Sequence, residues 1–181
     1  MRFAVLLPGP SMSPAVAELV RNLQTVAVNA VAIDITDAHG NTISAVAPWA
    51  TAMVAQDVAF WDALPQARSF AGRKFSANRV SGVERLEGVS SGHCSGVAGL
   101  EAANFLGATE ILLLGCDMQG THYFGPYAHP KLRNTTDKRR LVHMAQFAQW
   151  GKRNPDIRVI NCTPGSALQC FPHSTLEAAL C

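Results

Sequence analysis

The sequence predicts an α/β domain of Rossmann-like, three-layer architecture with a mostly parallel sheet. Three observations lead there. Short strands (the apolar runs Phe3–Leu7 and Glu110–Leu114, and Arg158–Asn161) alternate with helical patterns along the chain, as in layered α/β folds. Glu110–Leu114 is apolar at consecutive positions, the mark of a strand buried on both faces. The strands stop at Gly, Pro and small polar residues, where such sheets bind ligands.

Taken in order, Phe3–Leu7 ends at the turn cluster Pro8-Gly9-Pro10-Ser11. Ser13 followed by Pro14 reads as a helix cap and a first-turn proline, which predicts a helix over Ala15–Leu23. Thr25–Val28 is a second strand ending at Asn29, and Val54–Asp57 a third. Residues 65–88 lack a clear period and predict irregular structure or short strands. Ser90-Ser91-Gly92 opens a helix in which Val97, Leu100, Ala103 and Leu106 recur every three residues. Gly107 ends it. Asp137–Trp150 is a helix with Leu141, Met144, Ala145 and Ala148 on its apolar face, and 174–180 a terminal helix.

At 181 residues the chain has the length of one domain, 1–181, with enough core to need no staple. With 48% hydrophobic and 15% charged residues it is not a disordered chain. No apolar run reaches a membrane span, and the amino end lacks the basic-then-apolar pattern of a signal peptide. Five cysteines without a CxxC pair predict reduced thiols and a cytoplasmic protein, with Cys116, Cys162 and Cys170 packed in the core. The three tryptophans also read as core. The net charge is +2, but residues 131–158 hold eight basic side chains against Asp137 and Asp156. Such a stretch attracts phosphate or nucleic acid. A solvated helix face explains it as well, and charge alone does not make a nucleic-acid site.

Polar and glycine residues gather at the strand ends: Gly9, Pro10 and Ser11 after the first, Asn29 after the second, Gly115 and Asp117 after the central one. Ser91 and Gly92 precede a helix whose free amides suit a phosphate, and a glycine there allows close backbone approach. His122 and His129 are candidate general bases. Arg133 is of the type that grips a diphosphate. Asp117 has no His, Asp or Glu company in sequence, which predicts no structural metal; Mg²⁺ would arrive with a bound phosphate.

These residues carry a resemblance. Pro8-Gly9-Pro10-Ser11-Met12 resembles the Gly-Pro-Ser-Leu element that opens bacterial sialyltransferase-like proteins and the related archaeal-type 6-hydroxymethylpterin diphosphokinase-like proteins. Ser91-Gly92, then Leu106-Gly107-Ala108-Thr109-Glu110-Ile111 and Leu114-Gly115-Cys116-Asp117-Met118, is similar to their Ser-Gly, helix, Leu-Gly-x-x-Glu-Ile and Gly-x-Asp block. His122-Tyr123-Phe124-Gly125 looks like the His-Tyr-x-Gly element before the sialyltransferase base, and Val159–Leu168 like the closing strand and its Ser-containing loop. The chain also resembles short members of this superfamily encoded in phages and prophages.

The resemblance implies a nucleotide-dependent transferase, most like a small glycosyltransferase with a nucleotide-sugar donor. Alternatives are ATP-dependent diphosphotransfer and a non-catalytic phage protein that binds a nucleotide or nucleotide-derived signal. Gly9, Pro10, Ser11, Asn29, Ser91, Gly92, Gly115 and Asp117 would surround the nucleotide, and Tyr123 and Tyr127 would hold the leaving phosphate. His129 lies about two residues beyond the family's base position, so His129 and His122 both stand as bases. No cofactor would be tightly bound, the acceptor stays open, and the location would be the bacterial cytoplasm for a phage-encoded chain. A structural role in phage assembly would instead bring homo-oligomers and no nucleotide affinity.

Overall fold

A computed structural model describes residues 1–181. The chain runs β1 (Arg2–Leu6), α1 (Pro14–Glu18), β2 (Gln24–Val28), a single 3-10 turn over Asn29–Ala32, β3 (Ile35–Thr36), β4 (Thr42–Ile43) and β5 (Ala52–Val54). It continues with α2 (Val58–Ala63), α3 (Pro65–Arg68), β6 (Arg73–Ser76), β7 (Glu84–Arg85), α4 (Ser95–Phe105), β8 (Glu110–Leu114), α5 (Asp137–Arg153), β9 (Arg158–Asn161) and α6 (Leu176–Leu180).

Seven strands form one sheet in the order β7-β6-β5-β2-β1-β8-β9. Every pairing in it is parallel. The remaining two, β3 and β4, make a small antiparallel hairpin. Alternation along the central strands divides the core. Ala4, Leu6, Leu112 and Leu114 face a cluster with residues of α1, α2, α3 and α6. Phe3, Val5, Ile111 and Leu113 face the opposite cluster, with α4 and α5. Both faces of the sheet are thus covered, which is why the central strands are apolar at nearly every position. The architecture is the three-layer Rossmann-like α/β fold. No helix is long and apolar enough to cross a membrane.

Several elements differ from their sequence reading. The first helix is capped as expected, Ser13 accepting from the Val16 amide, but it stops at Glu18. From there Val20, Arg21 and Leu23 each bond three residues back, to Ala17, Glu18 and Val20, so the chain tightens into turns before β2. The third strand lies two residues earlier than Val54–Asp57. Gln56 leaves the ladder because its backbone groups are engaged elsewhere, its N donating to Ser95 Oγ (3.1 Å) and its O accepting from Asn78 Nδ2. Residues 65–88 supply α3, the strand β6 and the edge strand β7, the latter held by a two-pronged Arg73–Glu84 pair.

The face of α5 is also different. Leu141 and Ala145 are exposed, and the helix packs through Phe147 and Trp150, both fully buried. Aromatic size decides this: one ring buries far more apolar area than the smaller residues of the expected stripe. Trp61 and Trp150 are core as expected, while Trp49 is half-buried under Arg21. All five cysteines are free; Cys116 and Cys162 are buried, but Cys170 is exposed.

Truncation of Phe147 to alanine should cost about 3–5 kcal/mol, while Leu141→Ala should change stability by less than about 0.5 kcal/mol. Urea titrations of the two variants check this; equal losses would mean that α5 packs through the other face.

Candidate functional site

Strand order places the change of direction between β1 and β8. The chain moves outward from β1 through β2 and β5, then returns to the other flank as β8 and β9. Loops leaving β1 and β8 part at this point and open a crevice at the carboxyl edge. A cavity of about 660 Å³ lies there.

The two loops are bonded before they part. Leu7 N donates to Leu114 O (2.8 Å) and Gly9 N to Gly115 O (3.0 Å). A Cβ on Gly9 would stand 2.1 Å from Asp117 Oδ2, so only glycine lets the carboxylate in. Gly115 has φ +67, and a Cβ there would meet Leu7 O at 2.1 Å. Buried Asp117 accepts from the Ser11 hydroxyl (2.8 Å), tying the loops by a side chain as well. Behind it, Thr163 Oγ1 accepts from Cys116 N (2.9 Å), Ser166 Oγ donates to Cys116 O, and Ala167 N donates to Asp117 O.

Eight of the thirteen residues singled out from sequence line the cavity: Gly9, Asn29, Ser91, Gly115, Asp117, His122, Tyr127 and Arg133. The other five stand outside its wall. Ser11 acts on the wall by bonding Asp117, and exposed Pro10 packs beside Gly120. Helix α4 begins at Ser95, so Gly92 is not in its first turn, and a Cβ on Gly92 would meet nothing nearer than 3.9 Å. Gly92 contributes its carbonyl, which accepts from Gln146. Tyr123 turns its hydroxyl to Ala30 O (3.2 Å), and His129 accepts from the Lys131 amide.

The amino end of α4 opens on the cavity through Cys94, Ser95 and Gly96. Its cap residue, Cys94, makes no side-chain cap bond, and the helix's own bonding starts with Ala98 N to Cys94 O. The first-turn amides thus have no partner but the Cys94 thiol, and with the helix dipole they favour an anion at this end of the cavity. His93 Nδ1 accepts from the Ser90 amide (3.0 Å), which leaves the ring proton on Nε2 as a donor. Asn29 and Met118 have φ of 53° and 55°, and both line the cavity. Non-glycine residues in that region carry strain.

His122 sits in a tight turn closed by Gly125 N to His122 O (2.9 Å), its ring stacked on Phe124 with centroids 4.8 Å apart. Nδ1 is 3.3 Å from Gly125 O, a contact that requires the proton on Nδ1 and leaves a lone pair on Nε2. Burial, assisted by the nearby Arg140 charge, holds its pKa below the usual histidine value. This is a neutral imidazole with one basic nitrogen, the form a general base takes. The Tyr127 hydroxyl is buried and has no hydrogen-bond partner in the protein. Burial also pushes up the thiols of Cys94, to about 11, and Cys116, so both remain protonated and unsuited to nucleophilic attack at neutral pH. No group of three His, Cys, Asp or Glu side chains is arranged to hold a metal.

Sequence reading missed Gln56, Asp57 and His143, which also line the cavity. The first two carry the signal used elsewhere, polar residues directly after an apolar strand, obscured by the misplaced third strand. His143 stands one helical turn from Arg139 and Arg140, and its pKa is lowered by burial and by those two charges.

The lowered histidines make stability depend on pH. The unfolded chain takes up protons near 6.5, where the folded imidazoles of His122 and His143 do not. Stability should be full above that pH and fall as pH drops towards the folded values. Urea midpoints at pH 7.5 and 5.0 for the parent and a His122→Asn/His143→Asn variant test this; an unchanged slope in the variant contradicts it. The chain matches no family model, no curated protein and no solved structure, so the chemistry of the cavity rests on its own residues.

Proposed function

We propose that the protein is a nucleotide-dependent transferase, most like a small glycosyltransferase, with His122 as its general base. The observation that carries this reading is the convergence, in one 660 Å³ cavity, of an uncapped helix amino end with a neutral histidine whose Nε2 is free. An anion cradle and a base are the two parts that displacement of a nucleotide phosphate needs. The resemblance of the Gly-Pro-Ser, Ser-Gly and His-Tyr-x-Gly segments to sialyltransferase-like proteins points the same way.

In this reading the donor's phosphate lies against the α4 amides beside Ser91, and Asn29 bonds the nucleoside. His122 Nε2 takes the proton of an acceptor hydroxyl as its oxygen attacks the anomeric carbon. The bond from that carbon to the phosphate oxygen breaks, and the leaving nucleotide keeps the electron pair. Helix amides and the Tyr127 hydroxyl, which lacks a partner in the protein, stabilise the charge that develops. Mg²⁺, where it takes part, would enter on the phosphates.

The second reading is a binder without turnover. Its motivation is that Tyr123 is occupied by Ala30 O and only one of the two tyrosines is free for a leaving group.

A thermal-shift panel of nucleotides and nucleotide sugars identifies the ligand, since a ligand of the folded state raises its melting temperature. With that ligand, His122→Ala should lose roughly 10²–10⁴-fold in turnover at nearly unchanged affinity, and His129→Ala should stay active. A parent that consumes no nucleotide yet binds it would establish the binder. Ser91→Asp should weaken binding more than it lowers stability, because it sets a carboxylate against the phosphate. Unchanged affinity in a folded variant would remove the cradle.

A further inference from the structure

A second group of charges in the cavity is left unused by this mechanism. The seven salt bridges of the protein each take a different arginine. Arg140 is one of them: it pairs with Asp137 and also donates to the Thr135 and Gly120 carbonyls, so it fastens α5 to the loop after β8. Its neighbours Arg133 and Arg139, with Lys131, line the same cavity and have no carboxylate partner. All three are exposed. The cavity's own carboxylates do not neutralise them: Asp117 is engaged by Ser11, and Asp57 forms no ion pair with any of them. The amino end of α5 contributes little itself, since Thr136 caps it and Asp137 occupies its first turn. The charge comes from side chains.

We infer that Lys131, Arg133 and Arg139 form a second phosphate-binding subsite in the same cavity, supplied by side chains rather than by the α4 amides. Three cations within nine residues, lining one cavity without a counter-ion, suit a dianionic group, and arginine meets phosphate oxygens with a planar fork. Their exposure sets this phosphate at the mouth of the cavity. Two sources bring that chemistry: a second phosphate on the donor nucleotide, or a phosphate on the acceptor. The inference deepens the nucleotide-transfer reading and rests on it for which molecule carries the phosphate.

Calorimetric titration with inorganic pyrophosphate tests the subsite in the intact chain. The parent should bind it with an affinity that falls as salt rises, and Arg133→Gln/Arg139→Gln should weaken it by about tenfold per arginine removed. The melting temperature without ligand should not move. Lys131→Glu, an exposed residue outside the helix, repeats the test without altering α5. Pyrophosphate binding that is absent from the parent, or equal in parent and variants, overturns the subsite.

The four ribonucleoside monophosphates and their diphosphates then separate the sources. A diphosphate preferred at least tenfold over its monophosphate, with loss of that preference in the double variant, puts both phosphates on one nucleotide. Inorganic phosphate that still binds a monophosphate-loaded protein, and fails to do so in the double variant, puts the second phosphate on the acceptor. If no nucleotide binds while pyrophosphate still depends on the two arginines, nucleotide transfer falls and the subsite stands. Nucleotide binding with no response of any phosphate ligand to the variants leaves nucleotide transfer standing and removes the subsite.

Discussion

Strands β1 and β8 lie side by side although a hundred residues separate them, and their loops remain bonded beyond the sheet before they diverge. The contact of Gly9 with Gly115 and Asp117 is the constraint on which the rest of the site depends. There is no room for a side chain at Gly9 or Gly115, so backbone meets backbone, and the Asp117 carboxylate fills the space a Cβ would take. The crevice opens where these two loops separate. Without the close approach Asp117 would lose its partner Ser11, and the wall shared by the two loops would have no fixed shape.

That wall is braced from the far side of the sheet's edge. Asn161, Thr163 and Ser166 form a buried network in which Asn161 donates to Ser166 Oγ and Leu168 O and accepts from Thr163 N. Thr163 and Ser166 then take both polar groups of the Cys116 peptide. Each of these buried groups is satisfied, so the network adds rigidity without the cost of an orphaned donor. On the other side, Gln146 of α5 accepts from Cys94 N and donates to Gly92 O. Helix α5 thus holds both the loop before α4 and, through Arg140, the loop after β8. Most polar atoms around the cavity are occupied in holding its walls. Among those left over are the α4 amides, His122 Nε2, the Tyr127 hydroxyl, the Asn29, Asp57 and His143 side chains and three cations, and they define what the cavity offers a ligand.

Chemically that remainder is one-sided. It contains donors and positive charge suited to phosphate, the imidazoles of His122 and His143 with their lowered pKa values, the single unpaired carboxylate of Asp57, and thiols kept protonated by burial. His122 owes its state to its neighbours: Phe124 and Tyr127 exclude water, and Gly125 O fixes the proton on Nδ1. Desolvation that lowers a histidine pKa and a hydrogen bond that orients its lone pair are separate effects. Here they act on one ring.

The fold class, the central strands with the helices α1, α4, α5 and α6, and the clustering of polar residues at strand ends were legible in the sequence, while β3, β4, α2 and the elements of 65–88 were not. Each follows from local patterns: doubly buried strands are apolar throughout, helices show caps and periods, and a parallel sheet must carry its loops at the same edge. Gly9, Asn29, Ser91, Gly115 and Asp117 could be found that way because each directly follows a strand or precedes a helix. Which face of α5 is buried could not, since Leu141 and Phe147 are both apolar and only packing against α4 and Phe171 chooses between them. The same holds for the histidines. His122 and His129 are seven residues apart on one loop and equal in chemistry. Only the folding of that loop back onto Pro8, through the Tyr123 amide, sends one into the cavity and leaves the other outside. Local sequence sets the propensity of an element, but a site is built from contacts between residues far apart in the chain, and those exist only once the sheet has brought its strand ends together.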